Sequence, residues 1–88
     1  MVKWTVILSR SAVKDARKLK QSGLKPQTEK LLQILQDDPF AEYPSYEKLV
    51  GNLKGFYSRR INIQHRLVYS TDKEKRTVHV LRMWSHYD

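Results

Sequence analysis

The 88-residue chain has no cysteine, so neither disulfides nor thiolate metal sites hold it together, and its three histidines are scattered rather than set at ligand spacing. It has no long apolar run either. The opening MVKWTVIL is ended by Arg10 after too few residues for a signal peptide or a spanning helix, which points to an intracellular, cytoplasmic protein. Repeats, long linkers and a detached basic tail are also missing. Acidic residues are few: nine Asp and Glu stand against seventeen Lys and Arg, a formal charge of +8 at pH 7 shared between residues 1–38 and 39–88. Positive charge spread over a folded domain selects polyanionic ligands, namely RNA, DNA or an acidic protein. Part of it is structural, since Lys14, Lys18, Lys20, Lys25 and Lys30 are read as the solvated faces of helices. The length allows one domain, residues 1–88, with one modest core.

What is present is organised around Tyr46–Tyr69, YEKLVGNLKGFYSRRINIQHRLVY, which carries one carboxylate, three arginines, one histidine and four aromatic residues among apolar ones. The rest reads as scaffold. Val2 to Leu8 alternate as a half-buried strand does, with Val2, Trp4, Val6 and Leu8 on one side. Ser9 or Ser11 opens a helix in which Val13, Ala16 and Leu19 recur on one face, and Ser22-Gly23 ends it. Pro26 suits the first turn of a second helix with its stripe of Leu31, Leu32, Ile34 and Leu35, stopped at Asp37-Asp38-Pro39. Phe56–Ile63, His65–Ser70 and Thr77–Trp84 are β-prone and form a meander. The expected fold is α+β, in the order β-α-α-β-β-β, with an antiparallel sheet and a helical hairpin on one face.

Alternate residues of a strand share a face, so Gln64, Arg66 and Val68 point one way and His65, Leu67 and Tyr69 the other. Without a bulge, Val78, Val80, Arg82, Trp84 and His86 also share a face, and His86 comes beside Arg66 if the two faces coincide. Glu47, on a loop or short strand before the meander, closes a third side. Such a trio suits RNA cleavage by its own 2′-hydroxyl: Glu47 takes the proton, Arg66 stabilises charge on the phosphate, and His86 protonates the leaving 5′-oxygen. Arginine fits the middle role because its planar fork stays charged and donates twice to phosphate oxygens. No metal or other cofactor is required. Arg59 and Arg60 face opposite sides, one pairing with a carboxylate and the other reaching solvent or RNA. His65 and His79, set among apolar residues, are read as structural; Tyr57, Trp84 and Tyr87 are candidates for base stacking, with core packing the competing role for Trp84.

Glu47, Leu49, the block Asn52-Leu53-Lys54-Gly55-Phe56-Tyr57-Ser58-Arg59-Arg60-Ile61, then His65-Arg66-Leu67-Val68-Tyr69 and the terminal His86-Tyr87 closely resemble the Txe/YoeB family of bacterial toxins. The resemblance is dense from about Pro39 to Tyr69 and at the C-terminus, and looser over the helical hairpin. It implies a RelE-like fold within the RelE/ParE superfamily and a ribosome-dependent endoribonuclease that cuts mRNA in the ribosomal A site. A cognate antitoxin of the YefM or Axe kind, with an acidic segment, is the implied protein partner, beside the ribosome and mRNA. Relatives dimerise, so a homodimer is among the expected assemblies. The implied roles are base for Glu47, phosphate-stabilising cation for Arg66 and acid for His86, with Tyr87 beside it. Arg59, Arg60, Lys48, Lys54 and Tyr57 complete the expected substrate-binding set. Val50 stands where some relatives carry a lysine, so that cation comes from Lys48 or Lys54 or is absent, and Asp88 follows the aromatic at which some relatives end. Two other readings fit the charge: a non-catalytic ParE-like toxin that binds a protein such as a topoisomerase, and a basic nucleic-acid-binding module.

Overall fold

The computed structural model describes residues 3–43 and 45–83. Strand β1 (Thr5–Leu8) leads into helices α1 (Arg10–Gln21) and α2 (Lys25–Asp37), followed by β2 (Tyr46–Lys48), β3 (Tyr57–Arg60), β4 (Arg66–Asp72) and β5 (Thr77–Arg82). The sheet runs β1-β5-β4-β3-β2 and is antiparallel except at one edge. There β1 lies parallel to β5, with Thr5 opposite Thr77 and Leu8 opposite Val80. The fully antiparallel sheet expected from the sequence is thus corrected at that edge, and β2 adds a fifth strand. No tight turn joins β1 to its neighbour, so nothing local forces it to run antiparallel.

Ser9 caps α1: its Oγ accepts the Ala12 amide at 3.0 Å and donates to the Leu81 carbonyl at 2.7 Å, tying the helix start to β5. At the other end Gly23 takes φ +76°, and the Leu24 amide reaches back to the Leu19 carbonyl at 2.8 Å, satisfying a carbonyl that the helix end leaves open. Asp38 ends α2 in extended geometry ahead of the buried Pro39 and accepts the Phe40 amide on Oδ1 at 2.9 Å.

The helices cover the sheet face that carries Leu67, Tyr69, Val78 and Val80, with Leu19, Leu31 and Leu35 packed against them. Trp4, Val6 and Leu8 line that core as the alternation of β1 requires. In α1 the buried face is Ala12, Asp15 and Leu19, while Val13 is exposed. A carboxylate displaces the apolar stripe here because it is fully used. Asp15 Oδ2 accepts Arg82 Nε at 2.8 Å and the Met83 amide at 3.0 Å, and Oδ1 accepts Arg82 Nη2 at 3.3 Å. The five helix lysines read as solvating are all exposed. Among the described residues no helix is long and apolar enough to cross a membrane.

Candidate active site

Strand register puts the chemistry on the sheet face away from the helices. Glu47 pairs with Ser58 across β2 and β3, Ser58 with Val68, and Arg60 with Arg66 across β3 and β4. Because neighbours alternate, Glu47, Ser58, Arg60, Arg66 and Val68 share the outer face, and Tyr46, Arg59, Leu67 and Tyr69 share the inner one. The β3–β4 turn fixes this register. Asn62 Oδ1 accepts the amides of Gln64 at 2.9 Å and His65 at 2.7 Å, and the Ile61 amide donates to the His65 carbonyl at 2.9 Å. His65 is buried, as its place among apolar residues suggests.

Ser45, Glu47, Ser58, Arg60 and Arg66 line a cleft of about 240 Å³. Arg66 Nη1 donates to Glu47 Oε2 at 3.4 Å, a long contact with the arginine side chain 26% exposed and the glutamate 64%. An ion pair this open contributes little to stability, so its two members remain available to a ligand. Arg60 stands directly across from Arg66, and like charges in facing positions are destabilising unless an anion lies between them. Two guanidinium groups, one carboxylate and the serines at its wall give a cleft suited to a phosphate, with a base at its edge.

The structure brings Glu47, Arg60 and Arg66 together and separates the other expected substrate contacts from them. Lys48 and Lys54 are exposed beside a second cleft of about 350 Å³, formed with Leu49, Val50, Gly51 and Gly55. Gly55 there has φ +96°, which a side chain would strain. Tyr57 reaches that cleft but belongs to the inner face, its ring against Phe40 at 5.6 Å, Tyr46 at 5.6 Å and Tyr69 at 5.5 Å, so it is turned away from Arg66. Arg59 is corrected from a substrate contact to a core residue, only 1% exposed. Its Nη2 donates to the carbonyls of Pro39 at 3.0 Å and Ala41 at 2.8 Å, its Nε to the Tyr69 hydroxyl at 3.1 Å, and its guanidinium lies 4.9 Å from the centre of the Tyr46 ring. Having been turned inward, Arg59 pins the Pro39–Ala41 segment and stacks under Tyr46, which leaves the next residue, Glu47, facing out.

Tyr69 completes that anchor by donating to the Pro39 carbonyl at 2.7 Å. Burial pushes its phenol above the ordinary tyrosine value, and the nearby Arg59 charge only partly opposes this. The folded state therefore favours the neutral phenol, and the associated stability is complete below the unfolded value of about 10 and fades as pH rises through the folded one. Tyr69→Phe is expected to cost about 1–2 kcal/mol near neutrality in urea unfolding, with the gap to the parent protein closing above pH 10.

His86, Tyr87 and Trp84 lie outside the described residues. The described part of β5 heads toward them from Thr77, opposite Asp72, to Arg82, opposite Val68. The register skips at Leu81, between the pairs Tyr69–Val80 and Val68–Arg82, so the simple alternation expected through Arg82 is broken by a bulge. His79, read as structural, is instead exposed on the outer face. Ser58 and Asp15 were missed by sequence reasoning. Ser58 was findable, since it sits two residues from Arg60 on the same strand.

Residues 10–87 match the family model described as the YoeB-like toxin of bacterial type II toxin-antitoxin systems. A curated relative, Toxin YoeB of Mycobacterium bovis, is 40% identical over 58 residues; the match spans 66% of this chain and 66% of that relative, just under two thirds of its length. Among solved structures, the YoeB/ParE toxin from Agrobacterium tumefaciens superposes with a TM-score of 0.85 at 25% identity, covering 94% of this chain and 99% of that one. A YoeB-YefM complex from Staphylococcus aureus gives 0.78 at 31% identity, covering 97% and 99%.

Proposed function

The chain belongs to the YoeB-like toxins of bacterial type II toxin-antitoxin systems, and on that premise we propose that it is a ribosome-dependent endoribonuclease that cuts mRNA in the ribosomal A site. The observation that carries the reading is the outer-face cleft, where Arg66 lies 3.4 Å from Glu47 with Arg60 across from it. Glu47 removes the 2′-hydroxyl proton, and the 2′-oxygen attacks the adjacent phosphorus. Arg66, aided by Arg60, takes up the extra negative charge on the phosphate oxygens. His86 protonates the 5′-oxygen as its bond to phosphorus breaks, leaving a 2′,3′-cyclic phosphate and a 5′-hydroxyl. An imidazole can carry and give up a proton without a metal, which suits that role.

Such chemistry needs the 2′-oxygen in line with the leaving oxygen. An open cleft with exposed walls does not impose that geometry by itself, which is the physical reason for a ribosome to hold the messenger. The antitoxin expected for this toxin is a YefM-like protein whose acidic segment meets the +8 surface. An mRNA carrying a single 2′-deoxynucleotide on the 5′ side of the cut tests the mechanism. Its cleavage should vanish at that bond and persist elsewhere, whereas unchanged cutting there would mean that water, not the 2′-oxygen, is the nucleophile.

A further inference from the structure

The outer face carries a second feature. Register aligns one transverse row across β1, β5 and β4 and the residue that precedes β3: Phe56 falls level with Ser70 one step from the Tyr57–Tyr69 pair, Ser70 faces His79, and His79 faces Ile7. These residues, with Leu81, line a largely apolar cleft of about 290 Å³. Ile7 is 48% exposed and His79 is exposed, so the row is open to solvent. Among the described residues, no hydrogen bond engages the Ser70 hydroxyl or the His79 imidazole. The row lies two residues along the strands from Glu47, Ser58 and Val68, and His79 is about 14 Å from Arg66 in the sheet lattice.

The geometry points to this cleft as a nucleobase subsite, in which a base of the RNA strand held at Arg66 lies against the His79 ring between Ile7 and Phe56. It rests on the nuclease reading above and extends it to a specificity site. Apolar walls with a few unengaged polar groups are what a flat, polar-edged ring requires, and single-stranded bases are recognised by stacking on aromatic and imidazole rings. The Ser70 hydroxyl, beside the stacked ring, can hydrogen-bond the base edge. Nearness favours a base over a protein side chain: the two clefts are separate, but they open on the same sheet face, within reach of neighbouring nucleotides of one strand.

The test pairs a protein change with an RNA change in the ribosome-dependent cleavage assay. His79→Ala, an exposed substitution whose folding is checked by circular dichroism, should raise KM by about 5- to 150-fold, the loss of one stacked base, with kcat within about twofold. His79→Phe should restore KM to within about threefold. An abasic nucleotide, moved one position at a time from the cut, should cost the parent enzyme the same factor at one position and cost His79→Ala nothing further there. Additive losses, or unchanged KM and base preference in His79→Ala, overturn the subsite while leaving the nuclease reading intact. Weakened antitoxin binding with unchanged RNA kinetics would make the cleft a protein-docking site and overturn it too. Should the parent protein fail to cut, 4-thiouridine in uncleavable 2′-O-methyl mRNA on ribosomes decides separately: a cross-link to the peptide holding His79 supports the subsite, and its absence refutes it.

Discussion

Arg66→Ala is expected to lower kcat for mRNA cleavage by about 10²- to 10³-fold while leaving the melting temperature within a few degrees of the parent. The large kinetic effect follows from geometry and charge. Arg66 is on a central strand with a fixed register, its guanidinium opens into the 240 Å³ cleft, and its partner Glu47 is the proposed base. Negative charge on the phosphate grows only as the 2′-oxygen attacks, so losing this cation raises the barrier more than it weakens binding. The small stability effect follows from the same ion pair, whose glutamate side chain is 64% exposed and therefore well solvated on its own. Single-turnover kinetics on programmed ribosomes measures the first quantity and differential scanning calorimetry the second. A folded variant with unaltered single-turnover rate would remove Arg66 from the mechanism.

Arg59→Ala is expected to do the reverse, costing about 3–5 kcal/mol of the 5–15 kcal/mol typical of small domains. A fully buried guanidinium would leave behind a void, and the Ala41 carbonyl, the Tyr69 hydroxyl and the face of Tyr46 would lose what now satisfies them. Arg59→Met refills much of the space without replacing those hydrogen bonds and escapes the desolvation of a charge, so its cost should be smaller, about 1–3 kcal/mol. Urea titrations give both numbers. A folded Arg59→Met protein should retain most of its cleavage at a temperature well below its midpoint. Parent-like stability with lost cleavage would instead return Arg59 to the substrate.

The contrast between these neighbours shows where sequence is informative and where it stops. Adjacent strand residues must face opposite sides, so one of Arg59 and Arg60 had to point inward, but which one depends on the partners across β2 and β4. Tyr46 and Leu67 are opposite Arg59, and Arg66 is opposite Arg60. Those pairings follow from the Asn62 turn and from the short β2, neither of which has a strong local signature. The expected helices, their caps and the meander were legible because caps and alternation are local properties. Asp15 was not, since its burial depends on Arg82 and Met83, sixty-seven and sixty-eight residues away. The parallel edge of β1 and the bulge at Leu81 are likewise tertiary outcomes.

For the site itself, Glu47 and Arg66 were legible as residue types, and their meeting across β2, β3 and β4 required the register. Arg82 serves the fold: its fork on Asp15 fixes the end of β5 against α1, at the point where the chain continues toward His86. The acid's role rests on family resemblance and chemistry.

The most direct measurement is primer extension on a defined mRNA incubated with the antitoxin-free protein, with and without ribosomes in a purified translation system. The account predicts discrete cuts at the A-site codon that appear only with ribosomes present. No cuts from the folded protein, with translation proceeding at its normal rate, would contradict it and favour a toxin that binds a protein target such as a topoisomerase.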